Sequence, residues 1–384
     1  MGSRMSSARP LAGLVVIEIG HSIAAPYAGM ILGELGAEVI KVENPSTGDA
    51  CRGWGPPFAE GAATCFHAVN RAKRGIAVDL ADPAEAARLR ELIIERADIV
   101  IHNLKYGALD KYGLGAAELV AAKPSLVFCN LAAFGAVGPL RDRPGYDPMM
   151  QAYSGLMSLL GEDGRPPVRV AASIIDMGSA MWSVIGILAA VQERGRTGKG
   201  GIVDTSLLET GLAWMSIYLA GYLANGAIPE RHGSGVDMIV PYQAFAASDG
   251  YLMVAAGNDN LFRRLCAALG RPSLAEDARF RTNGDRVVHR RELVPILADL
   301  FVSEPVSHWA ALLDAAGIPN GPIHTLEQVA RDPQIVALGI IQRLPQGNLP
   351  LVGLPLSFDG VRPPFARPAP GLGEDNEAIL GRAP

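Results

Sequence analysis

The chain has 384 residues, of which 49% are hydrophobic and 19% charged. That balance fits a globular protein of roughly two or three domains and excludes intrinsic disorder as its main state. Its 34 Lys and Arg against 39 Asp and Glu leave a net charge of −5. With no basic stripe, this argues against a nucleic-acid partner but leaves room for a local basic pocket.

Met1–Pro10 is short and polar and reads as a disordered lead, not a signal peptide. Leu14–Ile19 is a β-branched run and predicts a strand. A turn of small residues, Gly20–Ala25, leads to a helix over Pro26–Leu35, with Pro26 suited to the first helical turn. Gly36 closes that helix and Ala37–Val42 is the next strand, completing a βαβ unit. A second unit starts with a strand at Ile76–Leu80. Asp82-Pro83 then pairs an N-cap with a first-turn proline and opens a helix to Arg96. Strands follow at Ile99–His102 and Leu126–Leu131. Serial βα units imply a parallel sheet covered by helices, hence an α/β, Rossmann-like large domain.

Beyond Tyr146 the pattern turns helical, with a long apolar helix over Met177–Arg194, a strand at Ile202–Ser206 and a helix over Leu207–Ala224. Gly226–Pro241 reads as a linker. Beyond it, strands at Gln243–Ala246 and Tyr251–Ala255 and helices at Asn260–Leu269, Arg291–Phe301 and Ser307–Ala316 predict a smaller α+β domain. The expected organisation is a large domain over residues 1–225, a small inserted domain over 226–325, and a C-terminal segment over 326–384 that returns to the large domain. The richest apolar run, Met181–Val191, falls short of the ~18 residues that a membrane span needs, so no membrane association is expected.

Cys51, Cys65, Cys129 and Cys266 form no C-x-x-C pair and have no His at metal-ligand spacing, so they read as reduced thiols of a cytoplasmic protein without a metal site. The chain lacks G-x-G-x-x-G, the phosphate loop, H-E-x-x-H and G-x-S-x-G. A Rossmann-like half without a nucleotide signature remains. The small residues of the Gly20–Ala25 turn would let an anionic ligand approach the backbone at a helix N-terminus, though a plain βα turn reads the same way.

Further motifs carry a resemblance. Gly36-Ala-Glu-Val-Ile-Lys-Val-Glu43, Gly48-Asp-Ala-Cys-Arg-Gly-Trp-Gly-Pro-Pro57, Asn70-Arg-Ala-Lys-Arg-Gly75, Asn103-Leu-Lys-Tyr-Gly107, Gly145-Tyr-Asp147, Ala171-Ala-Ser-Ile-Ile-Asp-Met-Gly178 and Gly195-Arg-Thr-Gly-Lys-Gly200 occur in that order. Together they resemble class III CoA-transferases, the family of formyl-CoA transferase and the carnitine and bile-acid CoA-transferases. The likeness fades after Asp259. It implies an interlocked-ring homodimer in which each chain threads the other. It also implies CoA or acyl-CoA as a substrate, with no tightly bound cofactor, and a small carboxylic acid as the second substrate.

The resemblance further implies that Asp176 is the nucleophile, through an acyl-aspartyl anhydride and an aspartyl-CoA thioester. Read from its residues alone, Asp176 is a helix N-cap. A carboxylate with the ordinary pKa of about 3.9 is ionised at neutral pH and needs no base. By position, CoA would meet His21, Ser22, Ile23 and Ala24, then Lys73, Arg74, Val78 and Asp79, then Leu104, Lys105, Tyr106 and Lys111. Arg52, Tyr146 and Arg169 are the expected acid-binding residues. Arg52 is favoured for a dicarboxylate, such as the acyl group of succinyl-CoA, because a guanidinium can pair bidentately with a carboxylate. Two other functions compete. An α-methylacyl-CoA racemase needs an acid–base pair, and its motif has His where this chain has Tyr146, a phenol that titrates near ~10 and is a poor base. A non-catalytic acyl-CoA-binding protein would have no need to keep Asp176 in its full motif.

Overall fold

The computed structural model describes residues 9–344, 347 and 349–381, so the polar lead expected over Met1–Pro10 lies outside the described residues up to residue 8. The chain forms two compact units. The first takes the chain up to Ser154, Val170–Trp214 and everything from Pro333 onward; the second takes Gly155–Arg169 and Met215–Asp332.

In the first unit, strands and helices alternate: β1 (Val15–Ile19), α1 (Ala24–Glu34), β2 (Glu38–Glu43), α2 (Thr64–Asn70), β3 (Lys73–Ala77), α3 (Pro83–Arg96), β4 (Ile99–His102), α4 (Ala116–Ala122) and β5 (Val127–Ala132). Three helices and a strand follow: α5 (Asp147–Tyr153), α6 (Ile174–Thr197), β6 (Gly201–Ser206) and α7 (Leu207–Trp214). The strands form one sheet in the order β3-β2-β1-β4-β5-β6, parallel throughout. This order is that of the dinucleotide-binding folds.

The strands are apolar on both faces, as a sheet covered on both sides requires. Val16, Val39, Ile99 and Val127 face one layer with the buried side of α1 and α6, among them Met30, Ala180 and Ile187. Their neighbours Ile17, Ile40, Val100 and Phe128 face the other layer with Leu89 and Ile93 of α3 and Leu119 of α4. Alternation along the strand sorts the two cores. Asp82 caps α3 by accepting the backbone N–H of Ala84 at 2.8 Å, with Pro83 in the first turn, as the sequence predicts. Gly198, at φ +72°, ends α6 in the left-handed conformation that glycine adopts without steric cost. The C-terminal segment covers the exposed edge of β3: Asp375 accepts Gly75 N–H at 2.9 Å and Asn376 accepts Ala77 N–H at 2.8 Å.

The second unit has an antiparallel sheet of β7 (Tyr242–Ala247), β8 (Gly250–Ala255) and β9 (Asn320–Pro322). Helices over Asp259–Ala268, Arg290–Phe301 and Val306–Ala315 pack on it around Phe245, Phe262, Phe280, Phe301 and Trp309. Arg286 is fully buried in this unit and bonds Val240 O, Phe280 O and Asp259.

Several boundaries differ from the sequence reading. The strand expected at Ile76–Leu80 lies at Lys73–Ala77, because its register against β2 places Lys73 opposite Val39 and Ala77 opposite Glu43. The helix expected over Leu207–Ala224 is two, Leu207–Trp214 and Ser216–Asn225, and the chain passes into the second unit at Met215. Gly155–Arg169 belongs to the second unit because Gly161 and Glu162 pair antiparallel with Gly233 and His232. The return to the first unit comes at Pro333. Finally, α6 at 24 residues is long and apolar enough to cross a membrane, although the uninterrupted apolar run within it is shorter; its buried face packs in the first core.

Candidate active site

In a sheet of this order the chain leaves β1 toward one side and β4 toward the other, which opens a crevice beyond their C-terminal ends. His21 follows β1 and Asn103 follows β4. The two are locked together: His21 N–H donates to Asn103 Oδ1 at 3.0 Å, and Asn103 Nδ2 donates to His21 O at 2.8 Å. Behind Asn103, buried His102 donates its Nε2–H to Asn130 Oδ1 at 2.8 Å and accepts the Leu104 N–H on Nδ1 at 3.2 Å.

The β1–α1 turn rests on four buried charges. Lys41 Nζ lies 3.1 Å from Glu18, 2.9 Å from Asp49 and 2.9 Å from Gly20 O. Lys73 Nζ pairs with the other oxygen of Glu18 at 2.7 Å and donates to Pro26 O and Asn70. Asp49 accepts the N–H of Ser22, a residue held at φ +66°, where side chains other than glycine are disfavoured. Burial opposes the charge on Lys41, but Glu18 and Asp49 hold its pKa above the ordinary lysine value. Two lysines against two carboxylates make the cluster neutral, the condition under which buried charge is tolerated.

A cleft of about 810 Å³ opens beside this turn, lined by His21, Ser22, Asp49, Trp54, Val78, Asp79, Leu104, Lys105, Lys111 and Tyr146 among others. A smaller pocket of about 200 Å³ shares His21, Ser22, Leu104, Lys105 and Tyr146 with it and also holds Ala24, Tyr106, Arg141, Arg143 and Asp176. The expected CoA contacts divide accordingly. His21, Ser22, Ala24, Val78, Asp79, Leu104, Lys105, Tyr106 and Lys111 line one or both cavities. Ile23 instead packs beside Cys51 and Phe66.

Three of the expected ligand cations are engaged within the fold. Lys73 is fully buried in the ion cluster, so its ammonium faces Glu18 and not a ligand. Arg74 pairs with Glu38 at 3.1 Å and Asp375 at 3.0 Å and secures the C-terminal segment. The guanidinium of Arg52 is consumed by structure: it donates twice to Glu43, at 2.9 and 2.7 Å, and once to Pro370 O at 3.0 Å, and lies 3.9 Å over the Phe66 ring. Arg169 is exposed and ends the Gly155–Arg169 piece of the second unit.

Asp176 sits in the first turn of α6. Its helix is capped from outside. Asp147 Oδ2 accepts the N–H of Ile175 at 2.7 Å and that of Asp176 at 3.2 Å, while Ser173 at the N-cap position makes no side-chain cap. Burial, and then the negative charge of Asp147, push the Asp176 carboxyl up to about 7. It is therefore not the ordinary carboxylate that its sequence suggests, because it is half-buried beside a like charge. Burial lowers the pKa of His21, so that imidazole is neutral at neutral pH. Among the described residues no cluster of His, Cys, Asp and Glu could hold a metal ion.

The sequence reading missed Asn103, Asp49, Lys41, Arg141, Arg143 and Asp147 as parts of this site. Each lay within or beside a quoted motif, but its role depends on partners distant in sequence.

The arrangement is a cleft with cations on its rim beside a smaller pocket whose lining includes a carboxyl that ionises near neutral pH. The chain is 36% identical over 381 residues to succinyl-CoA:glutarate CoA-transferase of Mus musculus, covering 98% of this chain and 87% of that protein. It is 37% identical over 380 residues to succinate–glutarate CoA-transferase of Agrobacterium fabrum, covering 97% and 95%. The crystal structure of a CAIB/BAIF family protein from Brucella suis superposes with a TM-score of 0.86 at 40% identity, over 98% of this chain and 99% of that one. The family model for CoA-transferase family III matches residues 11–376. The chain belongs to CoA-transferase family III and is a CoA-transferase.

Proposed function

We propose that this enzyme moves CoA from a dicarboxyl-CoA donor, succinyl-CoA being the first to try, to a second carboxylic acid, with Asp176 as the covalent nucleophile. The observation that carries the reading is the position of Asp176, in a small pocket that shares its walls with a cleft large enough for a CoA-sized ligand. The relatives named above act on succinyl-CoA, succinate or glutarate. Lys105, Arg141 and Arg143 on the wall of the Asp176 pocket suit a substrate that carries a second carboxylate. Lys105 and Lys111 on the large cleft suit the phosphates of CoA, with Val78 and Asp79 at the adenosine end.

In the ionised state an Asp176 oxygen attacks the thioester carbonyl and the CoA thiolate leaves, giving a mixed anhydride. The thiolate then attacks the aspartyl carbonyl of the anhydride. This releases the donor acid as a carboxylate and leaves an aspartyl-CoA thioester. The acceptor carboxylate attacks that thioester and expels the thiolate, which attacks the acceptor's acyl carbonyl and frees Asp176. Each bond broken is matched by one formed, and no proton is consumed overall. A pKa near 7 serves this cycle, because the group is ionised enough to attack yet remains a strong nucleophile once ionised.

A homodimer belongs to the reading. Met181, Trp182 and Ile185 leave an exposed apolar face on α6, and Leu212 and Trp214 do the same on α7. Apolar patches of this kind are commonly covered by a partner, here a second copy of the chain, interlocked with the first. Sedimentation at sub-micromolar concentration tests this point, since an interlocked pair shows no folded monomer. The function itself is tested by a matrix of acyl-CoA donors and acids read by mass spectrometry. The reading expects exchange with succinyl-CoA and C4–C5 dicarboxylates. Activity confined to long apolar acyl groups, or α-deuteration in D₂O without an acceptor acid, would reject it.

A further inference from the structure

Asp147 has no place in the cycle above, yet it is 2% exposed and meets the nucleophile's helix directly. Its two oxygens do different work. Oδ2 takes the N–H groups of Ile175 and Asp176. Oδ1 takes Nε2 of Gln151 at 2.6 Å, one turn along α5. Gln151 is fully buried and is itself clamped to the strand-like lead into α6: it accepts Val170 N–H at 2.9 Å and donates to Val170 O at 3.2 Å. Tyr146, which lines both cavities, immediately precedes Asp147. One carboxylate thus ties a wall of the pocket, the lead into α6 and the backbone of the nucleophile into a single unit.

We infer that Asp147 is the positioning residue of Asp176: it fixes the nucleophile's backbone through two hydrogen bonds and places a like charge beside its carboxyl. The inference rests on the reading of Asp176 as nucleophile. The hydrogen bonds set where the carboxylate oxygens sit relative to the thioester, and an error of about 1 Å in such a placement costs on the order of 10²-fold in rate. The charge sets when the carboxyl ionises. The other charged or titratable groups around Asp176 are His21, Lys105, Tyr106, Arg141, Arg143 and Tyr146 on the pocket wall. The elements packed on α6 add Tyr27 and Glu34 on α1, Cys129 on β5, Tyr153 on α5, Asp204 on β6 and Glu209 on α7. The charge that raises Asp176, after burial, is that of Asp147.

Asp147→Asn separates this role from a purely structural one. The amide oxygen can still accept the N–H groups of α6, but the charge is gone, and its NH₂ faces the clamped NH₂ of Gln151. The readout is the pH profile of the first half-reaction, release of CoA from the donor, in the full-length enzyme. In the wild type the rate rises with pH as Asp176 ionises. In Asp147→Asn the midpoint of that rise should move to lower pH by about one unit, because a like charge has been removed. The maximal rate should fall about 10- to 100-fold and the KM for acyl-CoA should change little. A rate loss with an unmoved midpoint, or an unchanged rate, overturns the inference. Should Asp147→Asn fail to fold, Gln151→Leu removes the brace and leaves both charges in place. It should lower the maximal rate with the midpoint unmoved, and full activity in that variant also overturns the inference. Failure of the wild type to transfer CoA would instead refute the function proposed for the site.

Discussion

The molecule treats buried carboxylates in two opposite ways within one site. Under the β1–α1 turn, Glu18 and Asp49 are matched by Lys41 and Lys73, and the cluster is neutral and fully buried. At the start of α6, Asp147 and Asp176 lie side by side and Asp147 is satisfied by N–H groups, not by a cation. The first arrangement fixes a loop, and within it burial lowers the Lys73 ammonium to about 8 against the opposing pull of Glu18. The second leaves one carboxyl with a pKa of about 7. Paired charge builds the wall against which the ligand lies, and unpaired charge builds the reactive group.

The largest effect should come from breaking the second arrangement at its reactive end. Asp176→Ala should lose at least ~10⁴ of the turnover, measured by steady-state CoA transfer, because a double-displacement route has no substitute group. Next in size is the paired cluster. Lys41→Met leaves Glu18 and Asp49 without their shared cation, and breaking a buried ion pair in this way costs about 3–5 kcal/mol. Urea unfolding should show the loss, with activity falling only in step with stability.

A third test compares the two regions by pH. The fold raises the pKa of Asp176 from its ordinary 3.8 to about 7 and so favours the protonated form. That contribution is fully present below the unfolded value and is lost as pH rises through the folded one, so Asp176 contributes less to stability at pH 8 than at pH 4. Asp176→Asn mimics the neutral acid. Its Tm advantage over the wild type should be near zero at about pH 4 and grow to several degrees by pH 8. An advantage that does not vary with pH would show that Asp176 is not held neutral by the fold. The smallest effect belongs to the rim. Lys111→Ala removes an exposed cation and should raise the KM for acyl-CoA several-fold at low salt, less at high salt, with kcat unchanged.

How much of this was legible in the sequence follows from the range of the interactions. The βα alternation, the cap at Asp82 and the helix around Asp176 depend on residues a few positions apart, and the sequence reading placed them within a few residues. Lys73 and Arg74 were read as ligand cations because they match, by position, a stretch that lines the CoA site in the family the chain resembles. Only the sheet register, with Lys73 opposite Val39, shows that Lys73 points into the core. Arg52 looked available because its partner Pro370 stands 318 residues away and Glu43 belongs to a neighbouring strand. Asp147 was read as the tail of a Gly-Tyr-Asp motif. Its work on a backbone 28 and 29 residues ahead has no local signature.

The central claim is that Asp176 forms a covalent bond to substrate, and peptide mass spectrometry tests it most directly. The wild type, incubated with donor acyl-CoA and no acceptor, quenched in acid and digested, should carry an acyl or CoA adduct on the peptide that contains Asp176, and Asp176→Ala should carry none. An adduct on any other residue, or full transferase activity in Asp176→Ala, would contradict the account.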